Sequence, residues 1–222
     1  MTVLLVLATF IGFIVIDYFL NRRKAVATVP AAVGKTSPAL LGDFVEGFAL
    51  RSDASYHPGH SWLVHERKNM VRVGADEFAA SLLGRIENVE LPKPGTWIRQ
   101  GQKVLSFWRN GEKTEMVSPT EGEVMEVNAE VLHNPAVLRQ DPYGKGWLLA
   151  VHVPDEENTG RNLVPKGLVR EWMRDAAERL YQRQPALAGA VAADGGRPSD
   201  DMLAAVPGLD WRETTSEFFL TA

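Results

Sequence analysis

Apolar positions along this chain follow three different rhythms. Thr2 to Leu20, TVLLVLATFIGFIVIDYFL, is almost unbroken, with Asp17 its one charge. At 1.5 Å per residue such a helix spans roughly 28 Å, about the hydrocarbon thickness of a bilayer. From about residue 57 to 155 short apolar runs alternate with polar residues and are cut by glycine turns, which predicts many short strands. From Lys166 to Gln182 the apolar residues recur every three or four positions (Leu168 or Val169, Trp172, Met173, Ala176, Leu180), which predicts a helix. Asp210-x-x-Glu213 reads as a capping box opening a further helix that carries Phe218, Phe219 and Leu220.

The clearest local signal lies at Val104–Val127. Asn110-Gly111 predicts a type I′ hairpin turn, because both central residues need positive φ. That turn sets Arg109 against Glu112, Trp108 against Lys113, Phe107 against Thr114 and Leu105 against Met116. Ser118-Pro119 ends the second strand, and Glu121-Gly122 turns the chain into another. Ala75–Leu83 reads as a short helix with Asp76 near its start and Gly84 past its end. Arg85–Leu91, Trp97–Arg99 and Gly146–Val153 read as strands, and Ala136–Arg139 as one helical turn. Ala39–Leu50 places Leu40, Leu41, Phe44, Val45, Phe48 and Leu50 at near-helical spacing, interrupted by Gly42 and Gly47. It packs either on the domain or on a partner.

A hairpin followed by Ser118-Pro119-x-x-Gly122-Glu123-Val124-x-Glu126-Val127-Asn128 resembles the H protein of the glycine cleavage system, a lipoyl carrier. The resemblance extends over residues 57–155 through His60-Ser61-Trp62, Val71-x-Val73-Gly74, Gly84-x-Ile86, Val89-Glu90-Leu91-Pro92, Gly95, Gly101, Asn134-Pro135 and Asp141-Pro142-Tyr143-Gly144-x-Gly146-Trp147-Leu148. It implies a mainly β fold, an H-protein or lipoyl-domain-like sandwich or flattened barrel. In that family the lipoylated lysine stands at the hairpin tip, seven residues before the Ser-Pro. Gly111 occupies that position here, and the nearest lysine, Lys113, lies two residues further on. The reading that follows is a fold without its cofactor; the alternative is a lipoate carrier that uses Lys113.

Composition narrows the remaining classes. A net charge of −4 argues against a nucleic-acid partner, and the absence of cysteine removes disulfides, thiol nucleophiles and cysteine zinc sites. His57, His60 and His65 lack a neighbouring carboxylate or cysteine cluster, so no metal site is expected, and no catalytic arrangement has a local signature. Glu112, Glu115, Glu121, Glu123 and Glu126 read as a solvated strand face. Gly34-Lys35-Thr36 lacks the earlier glycine and the strand that a phosphate loop needs.

Arg22, Arg23 and Lys24 follow the apolar run, which predicts a single-pass inner-membrane anchor with the N-terminus outside and the globular domain cytoplasmic. Asp17 meets either headgroups and water or a donor on another transmembrane helix. The expected organisation is an anchor and basic flank at 1–24, a linker at 25–56, an H-protein-like β domain at 57–155 and a C-terminal helical extension at 156–222. The expected function is a non-catalytic accessory or scaffold subunit of a larger membrane complex, such as an electron-transport or photosynthetic assembly. Residues 2–20 would contact the bilayer, and Asp17, Phe44, Phe48, Phe218 and Phe219 other membrane subunits. The alternative is a membrane-tethered carrier of glycine-cleavage type.

Overall fold

The computed structural model describes residues 41–155, 159–183, 201–203 and 208–222, within a unit formed by Thr36–Ala222. The expected anchor at 2–20, with Asp17, lies outside the described residues. Among those described, no helix is long and apolar enough to cross a membrane.

Turn chemistry sets the strand order. β1 (Leu41–Val45) and β2 (Phe48–Arg51) form an antiparallel pair, joined by Glu46 and Gly47 at φ 49° and 89°. This corrects the helical spacing read over 39–50: two residues of positive φ reverse the chain, and Val45, Phe48, Ala49 and Leu50 become buried. Phe48 is completely buried, with its ring 5.0 Å from Phe78. Phe44 is half exposed.

A six-stranded sheet runs in the order β3 (Ser55–Tyr56), β4 (Ser61–Arg67), β5 (Met70–Ala75), β11 (Leu149–His152), β10 (Gly122–Val127) and β7 (Trp97–Ile98). A three-stranded sheet places β8 (Lys103–Arg109) between β6 (Asn88–Glu90) and β9 (Glu112–Val117). Trp62 is completely buried and donates from Nε1 to the Ala75 carbonyl at 2.8 Å. Its ring covers Gly74 so closely that an added Cβ would stand 2.4 Å from it.

Helices close the core. α1 (Glu77–Leu83) is capped by Asp76, whose carboxylate accepts from the Ala79 amide at 2.7 Å, and it ends at Gly84. α2 (Ala129–His133) is capped by Asn128, and α3 (Ala136–Gln140) follows it. α4 (Val169–Arg183) is preceded by a 3-10 turn at Lys166–Leu168. α5 (Trp211–Phe218) starts at Asp210, which accepts from the Glu213 amide at 2.6 Å. Residues from all three sheets, α4 and α5 join one buried cluster.

Candidate functional site

The β8–β9 hairpin has the register that its turn predicts: Arg109 opposes Glu112, Trp108 opposes Lys113, Phe107 opposes Thr114 and Leu105 opposes Met116. Asn110 and Gly111 take φ 52° and 79°, so the tip is a tight two-residue turn with no amine on it. Because β8 pairs on both sides, the hairpin is held along much of its length.

Directly opposed residues share a face, and the two faces have different chemistry. On the outer face Lys113 Nζ donates to Glu115 Oε1 at 2.9 Å and lies 6.0 Å from the centroid of the Trp108 ring. The Lys113 side chain is 37% exposed. The Lys113 hydrogen bond holds the Glu115 carboxyl below its ordinary range, with Lys103 adding to the field. On the inner face Leu105, Phe107, Thr114 and Met116 are buried.

The C-terminal residues cover that inner face. Arg109 Nη1 donates to Asp201 Oδ1 at 2.9 Å, with both side chains almost enclosed. The pair lies against Gly84, where an added Cβ would fall 2.5 Å from Asp201 Oδ1. Gly84 also has φ 63°, so a side chain there is disfavoured twice over. Thr215 Oγ1 hydrogen-bonds Thr114 Oγ1 at 2.8 Å, and Trp211 Nε1 donates to the Leu83 carbonyl at 3.2 Å. Lys103 Nζ donates to the Thr221 carbonyl at 2.5 Å.

The expected partner contacts therefore separate. Phe218 and Phe219 are 2% and 0% exposed within their own chain, and Phe48 is likewise enclosed, which corrects their reading as partner-binding rings. The physical reason is that α5 lays its apolar side on β9 and α1, where Phe218 meets Phe78 edge-on at 5.2 Å. Phe44 alone of the four rings keeps a large exposed surface. The Arg109–Asp201 and Thr114–Thr215 contacts were not marked by the sequence, since each spans about a hundred residues with no local pattern.

His60 has a structural role. Its Nδ1 lies 2.9 Å from Asp76 Oδ2, and its ring stacks between Phe78 at 4.3 Å and Trp172 at 4.7 Å. His57 Nδ1 accepts from the Gly59 amide at 3.0 Å; burial, with His60 nearby, lowers its pKa to about 4. Among the described residues no group of three potential metal ligands converges.

Comparison with known proteins gives the family. The profile described as Glycine cleavage H-protein matches residues 54–176, more than half of the chain. The glycine cleavage system H protein of Mycobacterium leprae is 36% identical over 106 residues, covering 48% of this chain and 80% of the relative. That of Bifidobacterium longum is 35% identical over 102 residues, covering 46% and 74%. A crystal structure of a glycine cleavage system H protein from Mycobacterium marinum is 26% identical with a TM-score of 0.49, covering 58% of this chain and 99% of that one.

These findings correct two expectations. The accessory scaffold without a lipoyl group is overturned by relatives that carry the name glycine cleavage system H protein. The inner-membrane, single-pass placement is corrected on the same relatives, and residues 2–20, on which it rested, lie outside the described residues. With the family profile matched across the six- and three-stranded sheets and the hairpin, this chain belongs to the glycine cleavage H-protein family.

Proposed function

We propose that this chain is a non-catalytic carrier of glycine-cleavage type, with lipoate joined as an amide to Lys113. The observation that carries the reading is the amine itself. Gly111 at the tip offers none, while two residues on Lys113 presents Nζ on the exposed face of a hairpin braced by β6 and by the C-terminal residues. The fit to the group is therefore at Lys113 and not at the tip.

A carrier arm needs a primary amine within reach of the attaching enzyme and a base that does not sway. The Lys113 ion pair with Glu115 is a surface contact, and such pairs contribute only about 0–1 kcal/mol, so it orients the amine without sequestering it. Trp108 stands opposite Lys113 across the two strands, with its ring centroid 6.0 Å from Nζ. When bound, lipoate supplies a disulfide that alternates with a dithiol at the end of a long arm. Once Nζ is an amide it is neutral, and Glu115 is left to water or to a cationic group on a docking protein. The net charge of −4 suits protein partners rather than nucleic acid.

Intact-mass measurement of the native protein, with and without Lys113→Arg, tests this. The expected result is one lipoyl increment on the wild type, mapped to Lys113 by peptide analysis, and none on the variant. An unmodified wild type from cells whose other lipoyl proteins are modified would overturn the reading.

A further inference from the structure

Asn110 and Gly111 close the β8–β9 hairpin, and both are exposed at its tip. Their φ angles of 52° and 79° place both in the left-handed region. In a two-residue turn the hydrogen bonds join the flanking residues, here Arg109 and Glu112, so the Gly111 amide stays outside the ladder. The space beside it is open: a Cβ added at Gly111 would meet nothing within 4 Å.

The asparagines of this chain are held differently. Asn128 is buried, and its carboxamide donates to the Lys145 and Trp147 carbonyls, each at 2.7 Å, and accepts from the Glu130 amide at 3.0 Å. Asn162 donates to Gln100 Oε1 at 2.7 Å. Asn69, at φ 57° in the turn between β4 and β5, has the backbone hand of Asn110 but is half-buried and followed by Met70. Asn110 is the one asparagine in the sequence followed by glycine. Among the described residues its carboxamide has no hydrogen-bond partner.

We propose that Asn110 is a modification site, converted without an enzyme to aspartate and isoaspartate. The Gly111 amide nitrogen loses its proton to solvent base and attacks Asn110 Cγ. A new C–N bond forms, the carboxamide C–N bond breaks, and ammonia leaves behind a five-membered imide. Water then opens either carbonyl of that ring. The net exchange is water in and ammonia out, with no oxidant or reductant. A side chain on the following residue would crowd this attack, and glycine has none. Ring closure takes Asn110 out of the closed turn, so it proceeds from brief local openings of the exposed tip. The product bears on the whole hairpin. Isoaspartate adds a methylene to the main chain of a two-residue turn, so the Arg109–Glu112 pair loses its register. Either product also adds a carboxylate to a cavity of about 310 Å3 that Asn110 lines with Arg109, Glu112 and Asp210, where the guanidinium already holds Asp201.

The test follows the full chain at neutral and mildly alkaline pH by peptide mapping, beside methyl transfer from S-adenosylmethionine by an isoaspartate methyltransferase. Asn110 is expected to convert at least tenfold faster than Asn69, faster still at the higher pH, with isoaspartate as the larger product. Asn110→Gln, whose longer side chain needs a six-membered ring, should remove the methyl-accepting site with an unchanged circular dichroism spectrum. Conversion at Asn110 no faster than at Asn69 would overturn the proposal, as would methyl acceptance undiminished in Asn110→Gln. So would an Asn110 that reacts in urea but stays intact in the native chain, since the closed turn then protects it.

Discussion

Replacing Phe219 by alanine should cost this domain a large part of its stability. The ring is fully enclosed and belongs to the cluster shared by the sheets and α1. Removing a buried phenyl ring leaves a cavity that its neighbours fill only partly, and such changes cost about 3–5 kcal/mol. Domains of this size have about 5–15 kcal/mol in total, so the variant loses about a fifth of it or more. With a urea m-value of about 2 kcal/mol/M, the unfolding midpoint should fall by roughly 1.5–2.5 M. The comparison variant is Leu220→Ala, one residue on, where the side chain is 55% exposed and the expected change is within about 0.5 kcal/mol. Urea titrations of the full chain, followed by tryptophan fluorescence and circular dichroism, provide the assay. If Phe219→Ala shifts the midpoint no further than Leu220→Ala, the ring does not fill the core in solution, and the C-terminal residues do not brace the hairpin.

His57 gives a pH dependence. Its folded pKa of about 4 lies below the ordinary value near 6.5, so between those values the unfolded chain binds the extra proton. Stability should therefore rise from pH 4 to 6.5 at up to about 1.4 kcal/mol per unit from this group, and His57→Gln should flatten that slope in urea titrations across the window. Asp201→Ala leaves the nearly enclosed Arg109 guanidinium without its partner and should cost about 1–3 kcal/mol; adding Arg109→Met should recover part of the loss in a double-mutant cycle. Non-recovery would mean that the two charges do not act as a pair.

Local chemistry made much of the fold legible. The Asn110-Gly111 turn gave the hairpin register residue by residue, and Asp76 and Asp210 marked helix starts that the structure keeps. The stretch at 39–50 was misread because a short apolar run satisfies helical and strand spacing alike, and its deciding signal, Glu46-Gly47, requires positive φ at a glutamate. The candidate site was half legible. Lys113 and its cross-strand tryptophan follow from the turn, whereas the cover of Asp201, Thr215 and the two phenylalanines depends on contacts about a hundred residues apart. No periodicity encodes such contacts; only the collapse of the whole core selects them.

The ends of the sheets decide how another protein can read this one. The outer strands of the six-stranded sheet, β3 and β7, have two residues each, too few for a row of free amides and carbonyls. β9, at the rim of the smaller sheet, has its Glu115 carbonyl bonded by the Thr221 hydroxyl at 3.3 Å and its Val117 carbonyl by the Ser61 hydroxyl at 3.0 Å. At these three edges an incoming peptide thus finds little backbone to pair with by strand addition. If Lys113 carries the arm as proposed, recognition falls to the side chains on the outer face of the hairpin, which can be exchanged one by one without disturbing a single ladder bond.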